Sequence, residues 1–133
     1  MPASSLHDQT GNVLIVEDDA DMRELLSSLV TQEGFHAVSA EDGLEALHVL
    51  RTVRRRAPTA PCLILLDLAM PRLSGTAFRR AQLDDPSVRS VPVAILSGDS
   101  DRDGYAHALG AVASVGKPFD VDVLLKIVKR YCA

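Results

Sequence analysis

Charged side chains stand directly after three short apolar runs, and they are the types that phosphoryl and metal chemistry use. Asp67 ends one apolar run, the acids at 17–19 follow a second, and Lys117 follows a third. A carboxylate can attack a phosphoryl group as a nucleophile, and a lysine is a compact charge that can reach a phosphate oxygen. The three run ends therefore predict one pocket that holds a cation and a phosphoryl group.

The acids of this pocket suit a divalent cation. Carboxylates that lie close together repel one another unless they share a positive charge, and Mg²⁺ prefers oxygen ligands and commonly binds phosphate as well. Ser97 follows a further apolar run and offers a hydroxyl that can donate to a phosphoryl oxygen. Taken singly, these residues have ordinary interpretations, such as a helix cap for Asp19 or a solvated loop position for Lys117. Their shared place at strand ends favours the pocket.

The elements that must position these side chains alternate along the chain. Short continuous apolar runs are typical of strands covered on both faces, and apolar residues at helical spacing separate the runs. The predicted strands cover residues 13–16, 35–39, 62–66, 91–96 and 111–115. Capping residues mark the predicted helices: Asp19 or Asp21, Asp42 with Glu45, Ser74 and Asp120 at their starts, and Gly34 and Gly110 at two of their ends.

This alternation predicts an α/β domain, with a doubly wound parallel sheet and helices on both faces. The length of 133 residues corresponds to one domain, which we expect at 12–133 after a flexible tail at 1–11. Ligands of such sheets bind outside the carboxyl ends of the strands. The candidate site residues lying at such ends are Glu17, Asp18, Asp67, Ser97 and Lys117.

The composition excludes several other classes. Hydrophobic residues make up 47% of the chain, which is enough for an ordinary core. The formal net charge is -4 and the sequence shows no basic face, so nucleic-acid binding is not expected. No apolar stretch reaches the length of a membrane span, the first dozen residues lack the apolar core of a signal peptide, and we expect a cytoplasmic protein. Two cysteines make no disulfide framework: Cys62 is expected to be a small core residue and Cys132 to be exposed.

From about residue 12 to 131 the chain resembles the receiver domains of response regulators in two-component signalling, which have the CheY-like fold. The resemblance rests on four motifs in order, at residues 14–19, 65–71, 95–98 and 116–119. It implies a five-stranded sheet in the order 2-1-3-4-5. It also implies a switch that catalyses only its own phosphorylation and slow dephosphorylation, rather than an enzyme.

The resemblance assigns a role to each candidate residue. Asp67 would be the phosphoacceptor, served by a phosphohistidine on a sensor histidine kinase or a histidine phosphotransfer protein. Mg²⁺ would be bound by Asp67, by Asp18 directly, by Glu17 through water and by the backbone carbonyl of Ala69. Ser97 would move toward the phosphoryl group with Lys117 as its charge partner, and the peptide bond between Lys117 and Pro118 would be cis.

Three features are unusual for the resemblance, and a fourth bears on the lifetime of the phosphate. Ser114 stands where an aromatic switch residue is usual, and Tyr105 is a weak candidate to replace it. The span from Ser97 to Lys117 is short, so we expect a short or reoriented fourth helix. The arginines at 54–56 either complement a helix C-terminus or form a docking patch for an acidic partner. Ala69 has no polar side chain to position water, which predicts a phosphate that is not unusually short-lived.

Two other functions stay open from the sequence. One is a receiver-like interaction module that signals by binding alone, without phosphorylation. The other is a flavodoxin-like cofactor binder or small phosphohydrolase, although the acids after the first strand would repel a phosphate unless a metal intervened. The sequence does not identify the cognate kinase or the downstream target, nor whether the chain acts alone. We expect a monomer or a weak homodimer.

Overall fold

A parallel five-stranded sheet forms the centre of the protein, as a computed structural model describes it for residues 12–70 and 73–133. The sheet order is β2-β1-β3-β4-β5, which confirms the predicted doubly wound α/β fold and strand order. The strands are β1 (Asn12–Val16), β2 (His36–Ala40), β3 (Leu63–Asp67), β4 (Val93–Ser97) and β5 (Ala113–Gly116). The helices are α1 (Ala20–Gln32), α2 (Gly43–Arg56), α3 (Gly75–Asp84), α4 (Arg102–Ala108) and α5 (Val121–Cys132). The tail expected at 1–11 lies outside the described residues.

The strands are apolar because both faces of the sheet are covered. Every residue of β1, β3 and β4 is buried. Alternate residues of one strand enter different cores, so that Leu14 packs on the side of α2 and α3 whereas Ile15 packs on the side of α1 and α5. The sheet is thereby held rigidly between two helical layers, and the carboxyl ends of its strands share one edge.

Side-chain caps begin four of the helices. Asp19 accepts hydrogen bonds from the Asp21 and Met22 N–H groups, so the cap is Asp19 rather than Asp21. The other caps also match the predictions: Asp42 accepts from Glu45 N–H, Ser74 from Ala77 N–H, and Asp120 from Asp122 and Val123 N–H. Gly34 and Gly110 have positive φ angles of 91° and 65° where α1 and α4 end, a conformation that glycine adopts without strain.

The structure shifts several predicted boundaries. β2 to β5 begin one or two residues later than their apolar runs, because hydrogen-bonded pairing rather than apolarity defines a strand; Asp67 itself belongs to β3 and pairs with Leu96. On α5, Leu124 and Val128 are buried, whereas Val121 is 41% exposed. Val121 opens the helix, beyond the apolar core that covers its later turns.

Both cysteine predictions are wrong. Cys62 and Cys132 form a disulfide, with their Cα atoms 5.3 Å apart and a sequence separation of 70. The bond exists because α5 packs back across the sheet, so that its last turn reaches the residue before β3. Neither cysteine is fully buried or fully exposed.

The arginines at the end of α2 bind a neighbouring loop. Arg54 donates to Ser87 O and to Ser90 Oγ, and Arg51 forms an ion pair with Asp85 at 2.9 Å. The Arg55 side chain donates at 3.4 Å to Arg51 O within the last turns of α2. All three predicted arginines lie in the last turn of α2, where their charge can complement the helix C-terminus, and Arg54 also fixes the loop at 85–91.

None of the helices in the described ranges is long and apolar enough to cross a membrane.

Candidate functional site

Asp67 lies at the carboxyl edge of the sheet, between the ends of β1 and β4. Its backbone continues the buried strand β3, and the residue is 4% exposed. The strand order reverses between β1 and β3, which is where ligands of doubly wound sheets bind. Glu17 directly follows β1 at the same edge and is 1% exposed. Two carboxyl groups are thus held side by side in a largely water-excluded place.

Lys117 is the cation of this site. Its Nζ donates to Glu17 Oε1 at 2.7 Å and lies 3.4 Å from Asp67 Oδ1. Burial alone would lower the pKa of Lys117, but the hydrogen bond with Glu17 and the charge of Asp67 outweigh it, so that the pKa is raised. The predicted acids and lysine therefore meet, with the lysine held as a cation between the two buried carboxyl groups.

The surroundings of Asp67 disfavour the ionised form of its carboxyl group. Burial raises its pKa from 3.8 to about 7, with a further contribution from the negative charge of Glu17, while Lys117 and the Ala69 N–H act in the opposite direction. One lysine is thus insufficient to keep Asp67 fully ionised at neutral pH. An additional positive charge at this edge would favour the carboxylate form of Asp67.

The oxygen atoms fit a small divalent cation. Glu17, Asp18 and Asp67 each place a carboxylate oxygen so that these atoms all lie within 4.8 Å of one another. Asp18 is exposed, so the cluster opens toward solvent on one side. An all-oxygen set that leaves room for water matches the preference of Mg²⁺, and the raised pKa of Asp67 indicates where its positive charge is needed.

Asp19 and Arg23 fix the loop that carries these acids. Asp19 caps α1 with its side chain, and its N–H donates to Glu17 Oε2 at 3.2 Å. Arg23, one turn into α1, donates from Nη1 to Glu17 O at 2.9 Å and to Asp18 O at 3.4 Å. Arg23 could not be predicted from the sequence, because a single arginine near the start of a helix has no distinguishing pattern.

Ser97 ends β4 beside Gly116 of β5. Its Oγ accepts from the Asp99 N–H at 3.1 Å, and its backbone carbonyl accepts from the Lys117 N–H at 3.0 Å. A hydroxyl that accepts one hydrogen bond keeps its own proton for donation. Ser97 therefore lies at the predicted edge of the sheet, and its side chain is hydrogen-bonded to the turn that follows it.

The loop after β3 is held against Asp67. The Ala69 N–H donates to Asp67 Oδ1 at 3.2 Å, and Ala69 itself is exposed. The N-terminus of α3 packs so closely that a Cβ at Gly75 would meet Asp67 O and lie 2.6 Å from Leu68 Cα. Gly75 is a second residue that the sequence analysis missed. The carbonyl of Ala69 as a metal ligand stays a prediction.

The peptide bond between Lys117 and Pro118 is cis, as predicted, and a second cis bond joins Ala60 and Pro61. At the position of the missing aromatic residue, Ser114 Oγ donates a hydrogen bond to Asp103 of α4. The Tyr105 ring is 43% exposed, and its hydroxyl donates to Asp99 Oδ2 at 3.4 Å. The helix α4 spans seven residues, in line with the short helix expected there.

Comparison with known proteins identifies the family to which the sequence is similar. The sequence matches the response regulator receiver domain family over residues 13–129. Sporulation initiation phosphotransferase F of Bacillus subtilis is 32% identical over 120 residues, covering 90% of this chain and 91% of that protein. The polar-differentiation response regulator DivK of Brucella anthropi is 30% identical over 125 residues, covering 90% of this chain and 94% of that protein.

A solved structure extends the likeness to the fold. The chemotaxis response regulator CheY4 of Vibrio cholerae superposes with a TM-score of 0.79 at 27% identity, covering 91% of this chain and 98% of that one. The family match spans most of the chain and includes every strand end that carries the candidate site. This chain belongs to the response regulator receiver domain family.

Proposed function

We propose that Asp67 accepts a phosphoryl group from a phosphohistidine and that the phosphorylated protein changes its affinity for a partner. The observation that carries the proposal is the convergence at one sheet edge of buried Asp67, Glu17 and Lys117, with Lys117 Nζ 2.7 Å from Glu17 and 3.4 Å from Asp67. Membership of the receiver domain family supports the same reaction. The phosphodonor would be a sensor histidine kinase or a histidine phosphotransfer protein.

The reaction replaces one bond to phosphorus by another. A carboxylate oxygen of Asp67 attacks the phosphorus atom, the bond between phosphorus and the donor's imidazole nitrogen breaks, and its electron pair returns to that nitrogen. Bound Mg²⁺ would supply positive charge that screens the approaching phosphoryl oxygens. Glu17, Asp18 and Asp67 would hold it, with the carbonyl of Ala69 as a further ligand.

The residues of this chain orient the acceptor and recognise the product. The Ala69 N–H, at 3.2 Å from Asp67 Oδ1, fixes the rotation of the carboxyl group. Lys117 would exchange part of its interaction with Asp67 for a phosphoryl oxygen, and the Ser97 hydroxyl would donate to another. Such contacts bias a two-state equilibrium only if they are better in one state; Ser97 and Lys117 are the proposed source of that difference.

We further propose that the protein is a signalling phosphoacceptor rather than an enzyme, and that it catalyses only its own phosphorylation and the slow hydrolysis of its aspartyl phosphate. The binding-only module is not favoured, because the acids, Asp67 and Lys117 are all present and meet in space. The downstream target, the cytoplasmic location and the oligomeric state expected from the sequence stay predictions.

The test is the intact mass of the protein after incubation with Mg²⁺ and acetyl phosphate. We expect one added phosphoryl group, which is lost in Asp67→Asn and in excess EDTA. Asp19→Asn is a matched control that should still be phosphorylated, since asparagine also caps a helix and Asp19 lies outside the acid cluster. A folded protein that gains no mass from acetyl phosphate or from a phosphorylated histidine phosphotransfer domain would refute the proposal.

A further inference from the structure

The disulfide between Cys62 and Cys132 lies at the opposite end of β3 from the acceptor. Cys62 immediately precedes β3 and Asp67 ends it. At about 3.3 Å of rise per residue, the separation of five positions between Cys62 and Asp67 places the bond about 16 Å from the acceptor. The two cysteines are the only ones in the chain. Chemistry at this bond is therefore separable from chemistry at Asp67.

The surroundings of Cys62 suit a thiol as well as a disulfide. The Cα atoms of the two cysteines are 5.3 Å apart, within the range that a disulfide spans without backbone movement. Cys62 Sγ also lies 3.1 Å from the Asn12 carbonyl oxygen, to which a thiol at this position can donate a weak hydrogen bond. Both residues are partly exposed, so small molecules can reach the pair.

The bond controls how firmly the end of α5 is attached. Leu124 and Val128 anchor the middle of α5 in the core, and Lys129 forms an ion pair at 2.8 Å with Glu33, which directly follows α1. Beyond Lys129 the last turn has only partly buried contacts, and Cys132 supplies its covalent link to the sheet. Reduction would leave that turn free to fray, while the rest of the helix stays packed.

We propose that Cys62 and Cys132 form a thiol-oxidation site whose state sets the attachment of α5 to the sheet. The oxidant is a small-molecule disulfide such as oxidised glutathione. One cysteine thiolate attacks it and releases one reduced thiol; the second cysteine then displaces the other, so that two protein thiols become one disulfide and the small disulfide becomes two thiols. Which state prevails depends on the thiol–disulfide balance around the protein.

The test compares the same unmodified chain in reduced and oxidised glutathione. Alkylation followed by mass spectrometry counts free thiols; hydrogen exchange follows residues 127–133, and thermal unfolding follows the whole domain. In oxidised glutathione we expect both thiols to disappear, the amides of the last turn to gain protection, and Tm to rise by about 10 °C, as expected for closing a long loop. Phosphorylation by acetyl phosphate should be unchanged.

Cys132→Ser is the matched control, because it removes the disulfide at the end of α5 and leaves Cys62, which precedes β3, in place. Its Tm and its exchange at 127–133 should equal those of the reduced protein in both buffers. Free thiols that persist in oxidised glutathione, bonds that join separate chains, or a bond that leaves exchange at 127–133 unchanged would each overturn the proposal. None of these outcomes depends on whether Asp67 is phosphorylated.

Discussion

Asp67 is placed where its charged form is costly. It is 4% exposed, beside a second buried acid, and its pKa is raised to about 7 even though Lys117 lies 3.4 Å away. A nucleophilic carboxylate must be ionised, so the site is poised for a cation that completes the neutralisation. The same environment makes the stability of the metal-free protein depend on pH.

The first prediction concerns that pH dependence. The pKa of Asp67 rises from 3.8 in the unfolded chain to about 7 in the folded protein, so between these values the folded state binds more protons. The contribution of Asp67 to the free energy of unfolding therefore falls as pH rises through this window and levels off above it. In EDTA, the free energy of unfolding of Asp67→Asn should rise relative to that of the wild type between pH 4 and pH 8 by on the order of 4 kcal/mol.

Urea unfolding of both proteins at a series of pH values measures this gain. The comparison uses the pH-dependent part of the difference, because the substitution also changes hydrogen bonding at every pH. A difference between the two proteins that stays constant across the window would mean that Asp67 ionises in the folded state as it does in the unfolded chain.

A second prediction at this scale concerns the lifetime of the phosphate. Ala69 is exposed and follows the acceptor by two positions, so a longer polar side chain there would reach the solvent beside Asp67 without disturbing the core. We expect Ala69→Asn or Ala69→Glu to change the rate of phosphate loss several-fold, since either group can orient an attacking water. Decay is followed by intact mass after removal of the phosphodonor. Equal decay rates would show that this position has no influence on hydrolysis.

The principal site residues could be predicted individually because each follows an apolar strand. One strand ends at Asp67, and two others are followed directly by Glu17 and Lys117. Because the carboxyl ends of parallel strands meet at one edge of the sheet, these residues are expected to lie together. Arg23, which holds the acidic loop, could not be found in this way, and neither could the buried Arg79, which lies outside the candidate site. Arg79 is 5% exposed and donates to the carbonyls of Leu109 and Gly110, yet a lone arginine on a helix reads as a surface residue.

At the scale of elements, the contact between α3 and β3 positions the acceptor. The helix starts at Gly75, whose N–H donates to Leu68 O at 3.2 Å, and a Cβ at this position would meet the backbone of Asp67 and Leu68. Backbone atoms cannot move aside as a flexible side chain can. The close approach therefore holds the acceptor loop in place through the absence of a side chain.

The third prediction follows from this contact. Gly75→Ala should lower the free energy of unfolding by about 2 kcal/mol or more and slow phosphorylation by displacing Asp67. Gly104→Ala is the matched control: a Cβ there meets nothing within 4 Å, and alanine in a helix should gain about 0.5 kcal/mol. Urea unfolding and the rate of phosphorylation by acetyl phosphate measure both effects. Equal behaviour of the two variants would contradict the packing argument.

The fourth prediction concerns the contact between α4 and β5. Ser114 donates to Asp103, which links the short helix to the edge strand where a ring is usual in the family. A hydrogen bond to a charged acceptor on a partly exposed surface should contribute about 1 kcal/mol. In a double-mutant cycle with Ser114→Ala and Asp103→Ala, we expect a coupling of that size in the free energy of unfolding and unchanged phosphorylation by acetyl phosphate. Simple additivity of the two substitutions would mean that the contact does not hold α4.

The order and type of the elements could be predicted, while some of their contacts could not. Caps such as Asp19 and Asp120 are local signals, and their hydrogen bonds are confirmed. The bond between Cys62 and Cys132 depends on where α5 crosses the sheet, 70 positions away in sequence. No local pattern fixes such a distance, and for that reason the sequence does not predict that the two cysteines meet.

At the scale of the whole molecule, the acid cluster joins separate parts of the chain. Glu17 and Asp18 follow β1, Asp67 ends β3, and Lys117 follows β5. These residues are brought together only in the folded protein, so a cation that binds the cluster stabilises the entire fold rather than one loop. Because the cation competes with the proton on Asp67, this stabilisation must depend on pH.

The fifth prediction states the size and origin of that effect. At Mg²⁺ concentrations about 100 times the dissociation constant, the gain of about 2.7 kcal/mol should raise Tm by about 5 to 10 °C. The rise should be larger at pH 8 than at pH 5, since Asp67 is mostly protonated below about 7 without metal. Thermal unfolding with and without Mg²⁺ measures it.

Substitutions of two neighbouring acids distinguish Mg²⁺ binding at one site from a general effect of negative charge. Asp18→Asn should remove most of the rise in Tm, because Asp18 supplies a carboxylate oxygen to the cluster. Asp19→Asn removes the same charge one residue later but keeps a helix cap, and it should retain the rise. If both variants lost the effect equally, Mg²⁺ would be acting on the acidic loop as a whole. If neither lost it, the cation would bind elsewhere, and the proposed role of this sheet edge would have to be abandoned.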